Sequence, residues 1–121
     1  MMAAVRSKNT APEMTVRRLV HSMGYRYRLH RADLPGKPDL VFPGRGKVIF
    51  VHGCFWHQHG CKGSHLPKSN EAYWIPKLER NRERDTEHIN NLCRKGWKCL
   101  VLWDCELGKP SLPVKISRFL G

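Results

Sequence analysis

Fourteen residues, Val48 to Cys61, constrain this chain more than any other stretch: VIFVHGCFWHQHGC. The β-branched and aromatic run at its start has the composition of a buried strand. That run empties into a loop holding His52, Cys54, Phe55, Trp56, His57, His59 and Cys61. A buried strand followed by turn chemistry delivers side chains to the edge of a sheet, where α/β proteins tend to keep their chemistry. The sequence therefore points to an α/β fold organised around this strand and its exit.

With 121 residues there is room for one domain and one core. The apolar surface such a chain can bury is modest, so a structural metal is a plausible reinforcement. Twenty-two Lys and Arg stand against 10 Asp and Glu, a formal charge of +12. An excess of that size suits a phosphate backbone, whereas a membrane-surface helix needs its cations facing one long apolar stripe, which is not seen. Five cysteines, an odd number, and a polar N-terminus MMAAVRSKNT with no apolar span predict a chain kept in a reducing cytoplasm. In that compartment clustered Cys and His indicate metal more often than disulfide. No repeat, low-complexity tract or linker divides residues 1–121, and a monomer is expected.

Taken in order, Met1 to Asn9 reads as a short basic arm carrying Arg6 and Lys8. Thr10-Ala11-Pro12-Glu13 has the form of a capping box, and Val16, Leu19, Val20 and Met23 follow at helical spacing until Gly24. A helix-capping role is adequate for Glu13 on sequence alone. Tyr25 to His30 alternates Tyr25, Tyr27, Leu29 against Arg26, Arg28, His30, which predicts a strand with one wet, basic face. After the Leu34-Pro35-Gly36-Lys37-Pro38 break, Asp39 opens a strand over Leu40 to Phe42, and a Pro43 to Gly46 turn leads to a strand over Lys47 to Val51, together a hairpin. A helix is expected from about Ser69 to Lys95, with Pro76 tolerated only in a first turn or at the start of a second segment. At about 3.6 residues per turn, Trp74, Leu78, Asn81, Asp85, Ile89 and Leu92 share its inward face. Trp97 to Trp103 reads as a central strand apolar on both faces, and Ser111 to Leu120 as a closing helix.

Cys54, His59 and Cys61 supply three of the four N or S ligands that tetrahedral zinc requires. The fourth could be His57, His65 or a distant cysteine. Cys105 is attractive because it ends a strand expected beside Val48 to Val51, while Cys93 and Cys99 look like core residues. Assigning that set to zinc leaves His52 and His57 free, with Glu13, Asp39 and Asp85 as candidate carboxylates. Phosphodiester hydrolysis needs a cation on the non-bridging oxygens, usually Mg²⁺ on hard oxygen ligands, and a group that takes a proton from water. Asp39 can serve the first need and a histidine the second, with Asp85 holding His57 in one tautomer. Phe55 and Trp56 are hard to bury among ligands and polar residues. Together with Trp74 they can stack on bases or wedge between them, most readily where a step is mismatched.

These residues carry a resemblance. Arg6 to Glu13, Leu34 to Asp39, Val48 to His57, Asn81 to Asp85 and Gly96 to Cys105 together resemble the very-short-patch mismatch repair endonucleases, the Vsr family. HGCFWHxHxC below an LPGxPD is its most specific part, and the likeness covers nearly the whole chain. It implies a restriction-endonuclease-like fold, a mixed central sheet flanked by helices with a structural zinc site. It also implies nicking of one DNA strand 5′ of the thymine of a T:G mismatch, with Mg²⁺ as catalytic and Zn²⁺ as structural metal.

Carried over position by position, the resemblance makes Asp39 the direct Mg²⁺ ligand and Glu13 an acid acting on the metal through water. His57, oriented by Asp85, is implied as the general base, and His52 is implied at the scissile phosphate. Cys54, His59, Cys61 and Cys105 match the zinc ligands. Phe55, Trp56 and Trp74 match the intercalating aromatics, and Met2, Arg6, Lys8 and Asn81 fall among the expected DNA contacts. Val51 stands where the family often has Thr, so any metal contact there comes from its carbonyl. The basic arm is shorter than usual, and Val51-His52-Gly53 stands where metal nucleases often carry a lysine. Two other readings remain on sequence: a nuclease of the same fold with a restriction or mobile-element target, and a zinc-stabilised DNA-binding module without catalysis. Downstream repair proteins are possible partners.

Overall fold

The computed structural model describes residues 11–29, 31, 33–53 and 71–121. The helical spacing of Val16, Leu19 and Val20 makes the inner face of α1 (Ala11–Ser22), which ends at Gly24 in the left-handed conformation, φ 89°. Two strands follow, β1 (Arg28–Leu29) and β2 (Leu40–Phe42). A 3-10 turn over Pro43–Arg45 leads into β3 (Lys47–His52). The long helix α2 (Glu71–Arg94) crosses over to β4 (Lys98–Trp103), and α3 (Ser111–Leu120) closes the chain.

The sheet order is β1-β2-β3-β4, antiparallel except for the parallel β3–β4 pair. Side chains alternate across this sheet, so each strand feeds two cores. Leu40, Phe42, Ile49 and Leu102 face Val16 and Val20 of α1 and Leu112, Ile116 and Leu120 of α3. Val41, Val48 and Phe50 face the opposite way, onto Leu92 of α2. Covering both faces removes the need for a polar side, which is why β3 reads as a continuous apolar run. Each buried Leu, Ile or Phe of these layers contributes about 1.5–3 kcal/mol.

The mixed sheet flanked by helices, the hairpin and the three long helices agree with the sequence reading, with four differences. The strand expected over Tyr25 to His30 pairs only at Arg28 and Leu29, and His30 lies outside the described residues. The Tyr25 amide instead donates to the Val20 carbonyl, closing α1, and the Tyr27 hydroxyl reaches the Arg17 carbonyl at 3.4 Å. Second, β4 is an edge strand, not a central one. Its apolar character on both faces comes from the helices: Leu100 and Leu102 pack on the α1/α3 side, Cys99 and Val101 on the α2 side.

Third, Pro76 lies beyond the first turn of a continuous α2. Its ring deprives the Ala72 carbonyl of a partner, and both residues are exposed, so water can replace the lost bond. Fourth, Cys93 is exposed and Cys99 only half-buried, so neither is a closed-core residue. Burial, together with the neighbouring Cys93 thiol, still pushes the Cys99 thiol up to about 11. Among the described residues no helix is long and apolar enough to cross a membrane.

Candidate active site

Because β2 runs antiparallel to β3, the residue that opens β2 sits beside the end of β3. Leu40 pairs with Ile49, and Asp39, one residue earlier, receives the Val51 amide on Oδ2 at 2.7 Å. A Pro-Asp at a strand entry thus becomes a fixed carboxylate at the sheet's catalytic end. Glu13 comes to the same place from the first turn of α1. It is 1% exposed, with Arg17 Nη1 at 3.6 Å from its Oε2. A solvent-side helix cap would not be buried in this way, so the position of Glu13 exceeds a capping role.

Burial pushes the Asp39 carboxyl up to about 7. The Glu13 carboxylate beside it adds repulsion and a hydrogen bond that also raise it, while the Val51 amide pulls the other way. Among the described residues Arg17 stands 3.6 Å from Glu13, and the carboxyl of Asp39 is still raised. A buried Glu13 and a half-buried Asp39 offer hard oxygen donors of the kind a small divalent cation such as Mg²⁺ takes, and such an ion would favour the ionised form of Asp39. Among the described residues no group of three or more His, Cys, Asp or Glu gathers here, so of these side chains Asp39 and Glu13 are the pair that would hold such an ion.

Next to Asp39 a cleft of about 260 Å³ opens between the end of β3, the 34–38 loop and α2. Val51 and His52 line it from β3, and Asp85 and His88 from α2. His52 is 8% exposed and packs edge-on to Trp103, ring centroids 5.2 Å apart. Asp85 is half-buried, as its inward helical phase requires. The loop wall depends on Gly36, φ +75°, whose missing Cβ would lie 2.9 Å from the His88 Cβ and 3.1 Å from a Phe50 ring carbon. Lys37 follows at φ 47°, so two successive left-handed residues fold this loop onto α2.

Sequence reasoning brought Glu13, Asp39, Val51, His52 and Asp85 to one end of the sheet, and the structure places them there. It missed Gly36, Lys37 and His88. His88 follows Asp85 by three residues, on the same helical face, and that spacing could have found it. Lys37 offers a cation at the cleft although no lysine follows β3.

The remaining candidates stand apart. Trp74 is half-buried near the start of α2, edge-on to the exposed Tyr73 at 5.0 Å. Asn81 accepts a hydrogen bond from Arg84. Cys105 lies in the 3-10 turn after β4, where the Trp103 amide donates to Glu106 Oε1 at 3.1 Å and Lys115 meets Glu106 Oε2 at 2.7 Å. Met2, Arg6, Lys8, Cys54, Phe55, Trp56, His57, His59 and Cys61 lie outside the described residues.

A family model described as DNA mismatch endonuclease Vsr matches residues 1–63. The chain is 60% identical over 107 residues to type II nicking enzyme V.XorIIP of Xanthomonas oryzae pv. oryzae, covering 88% of this chain and 79% of that protein. It is 42% identical to type II nicking enzyme V.NmeAIP of Neisseria meningitidis serogroup A, over 88% and 76% of the two chains. With DNA mismatch endonuclease Vsr of Escherichia coli the identity is 39%, over 88% of this chain and 68% of the other.

Proposed function

The chain belongs to the Vsr family of DNA mismatch endonucleases, and on that premise we propose that it nicks one DNA strand 5′ of the thymine in a T:G mismatch, using Mg²⁺. That it is a DNA-nicking endonuclease follows from the family itself. The observation that carries the finer reading is the Asp39–Glu13 pair at the end of β3, sharing one corner with His52 and Asp85.

In this reading Asp39 and Glu13, with the Val51 carbonyl, would hold the cation. When bound, Mg²⁺ supplies positive charge for the non-bridging oxygens of the scissile phosphate. His52, anchored on Trp103, contacts that phosphate. His57, held in one tautomer by Asp85, takes a proton from the attacking water as its oxygen bonds to phosphorus and the bond to the leaving sugar oxygen breaks. Phe55, Trp56 and Trp74 insert beside the mismatch, where unstacking costs least, with Met2, Arg6, Lys8 and Asn81 gripping the duplex.

Cys54, His59, Cys61 and Cys105 would hold a structural Zn²⁺, supplying the four N or S ligands a tetrahedral site takes. The parallel register supports this set: His52 pairs with Trp103, and Cys54 and Cys105 each follow that pair by two residues. The proposed setting is a bacterial cytoplasm, with repair proteins acting after the nick.

A second reading has its own support. Two of the relatives are named type II nicking enzymes, which favours a target tied to a restriction system over general repair. Matched oligonucleotide duplexes carrying T:G or T:A, incubated with Mg²⁺ and mapped to the nucleotide, separate the two. Cutting confined to T:G, on the 5′ side of the thymine, supports the mismatch reading. Equal cutting of both duplexes refutes it.

A further inference from the structure

We propose that a second nucleic-acid site lies at the opposite end of the sheet from the cleft and takes the phosphodiester backbone of the duplex beyond the cleavage position. A groove of about 920 Å³ opens there, where the end of α1, the approach to β1 and the 43–46 turn meet. Arg26, Arg28, Arg45 and His21 line it, with no Asp or Glu in its walls among the described residues.

Arg26 and Arg28 are exposed, and among the described residues neither guanidinium makes a hydrogen bond or ion pair, Arg28 pairing with Val41 through its backbone alone. Exposure alternates from Tyr25 to Leu29, with Tyr25, Tyr27 and Leu29 half-buried and Arg26 and Arg28 exposed, and both arginines line the groove. Unpaired like charges held side by side repel, so the arrangement gains from an anion that neutralises both. Arg45 is differently placed: its Nη1 donates to the Leu120 carbonyl at 2.9 Å, and its guanidinium carbon lies 5.0 Å above the Tyr25 ring. It is therefore a cation fixed in place by the end of the last helix, and it covers one face of the Tyr25 ring. A planar guanidinium fork pairs bidentately with phosphate oxygens, so the groove suits backbone over bases.

The groove and the cleft are separated by the length of β3, about 17 Å for five strand steps. A duplex rises about 3.4 Å per base pair, so about five base pairs bridge the two. The proposal rests on the family's action on DNA and not on the T:G reading.

The test compares the whole protein with its Arg26→Gln/Arg28→Gln variant, measuring binding without divalent cation to duplexes with arms of about four or about twelve base pairs on each side. On the long duplex the variant is expected to bind about tenfold more weakly, and its log affinity against log salt to be shallower by about two. On the short duplex the two proteins bind alike. The thermal midpoint and the nicking rate at saturating DNA stay unchanged, and Arg26→Lys/Arg28→Lys recovers the salt slope. Equal affinity and slope on the long duplex overturn the proposal. So does saturation of the Arg26 and Arg28 side-chain NMR signals by sub-millimolar inorganic phosphate with no response to long duplex, which would make the groove a small-anion site. Loss of T:G preference in nicking would leave this binding comparison intact, so the two proposals fail separately.

Discussion

Replacing Asp39 with Asn should make the metal-free protein more stable while abolishing its nicking. In the fold this carboxyl is raised from its ordinary value of 3.8 to about 7, by burial first and by Glu13 second. An acid whose folded value lies above its unfolded one contributes fully below the unfolded value, and that contribution drains away as pH rises to the folded value. Between about pH 4 and about pH 7 the metal-free chain should therefore lose about 4 kcal/mol, and stay at that lower level above pH 7. A domain of this size has about 5–15 kcal/mol in all, so the loss is a large share of it.

Asn at position 39 cannot ionise, keeps an oxygen for the Val51 amide and offers Glu13 a donor. Urea unfolding in magnesium-free buffer at fixed ionic strength should find Asp39→Asn already about 1–2 kcal/mol more stable than the wild type at pH 5. At pH 8.5 the variant should be about 2–4 kcal/mol more stable. Adding Mg²⁺ at pH 8.5 should narrow the gap by stabilising the wild type alone. A pH-independent difference, or a variant less stable at pH 8.5, would refute the claim that the fold raises the Asp39 carboxyl.

Other outcomes test the rest of the corner. Gly36→Ala combines a left-handed backbone with a contact of 2.9 Å to His88, so thermal unfolding should show a loss of about 2 kcal/mol or more; an unchanged midpoint would mean that the loop does not pack as described. Zinc analysis of the purified protein should find about one metal per chain and of Cys61→Ser close to none, whereas equal, near-zero content in both removes the zinc assignment. With His57 as the base, nicking should rise with pH through a value near about 6.5, and an unaltered profile in His57→Ala would transfer that role to His52 or to a metal-bound hydroxide.

Much of the scaffold could be read from the chain because its signals are local. Val16 and Val20 recur at the helical period, and the Pro43 to Gly46 turn sits between two apolar runs, so α1 and the hairpin follow directly. The candidate site is legible only in part, because burial is a tertiary property. Nothing near Glu13 in sequence distinguishes a cap from an acid enclosed against Asp39, and the resemblance alone raised it above a cap. For β4, apolar residues on both faces suggested strands on both sides, yet α2 and α3 cover the faces of an edge strand. At the start of β1, the Tyr25 amide belongs equally well to a ladder or to the end of α1, and the helix took it. Gly36 and Lys37 were visible only as a chain break, since their importance lies in the approach of His88 from a helix about fifty residues away.

The role proposed for the Asp39–Glu13 pair is to hold the divalent cation that nicking requires. The most direct measurement is single-turnover nicking of a T:G duplex as a function of Mg²⁺ concentration, for the wild type and for Asp39→Asn, with DNA binding followed in parallel. The account predicts a saturable Mg²⁺ dependence in the wild type and no nicking in the variant at any Mg²⁺ concentration, with duplex binding retained by both. Nicking without divalent cation, or an Asp39→Asn protein that cuts at the wild-type rate, would contradict it.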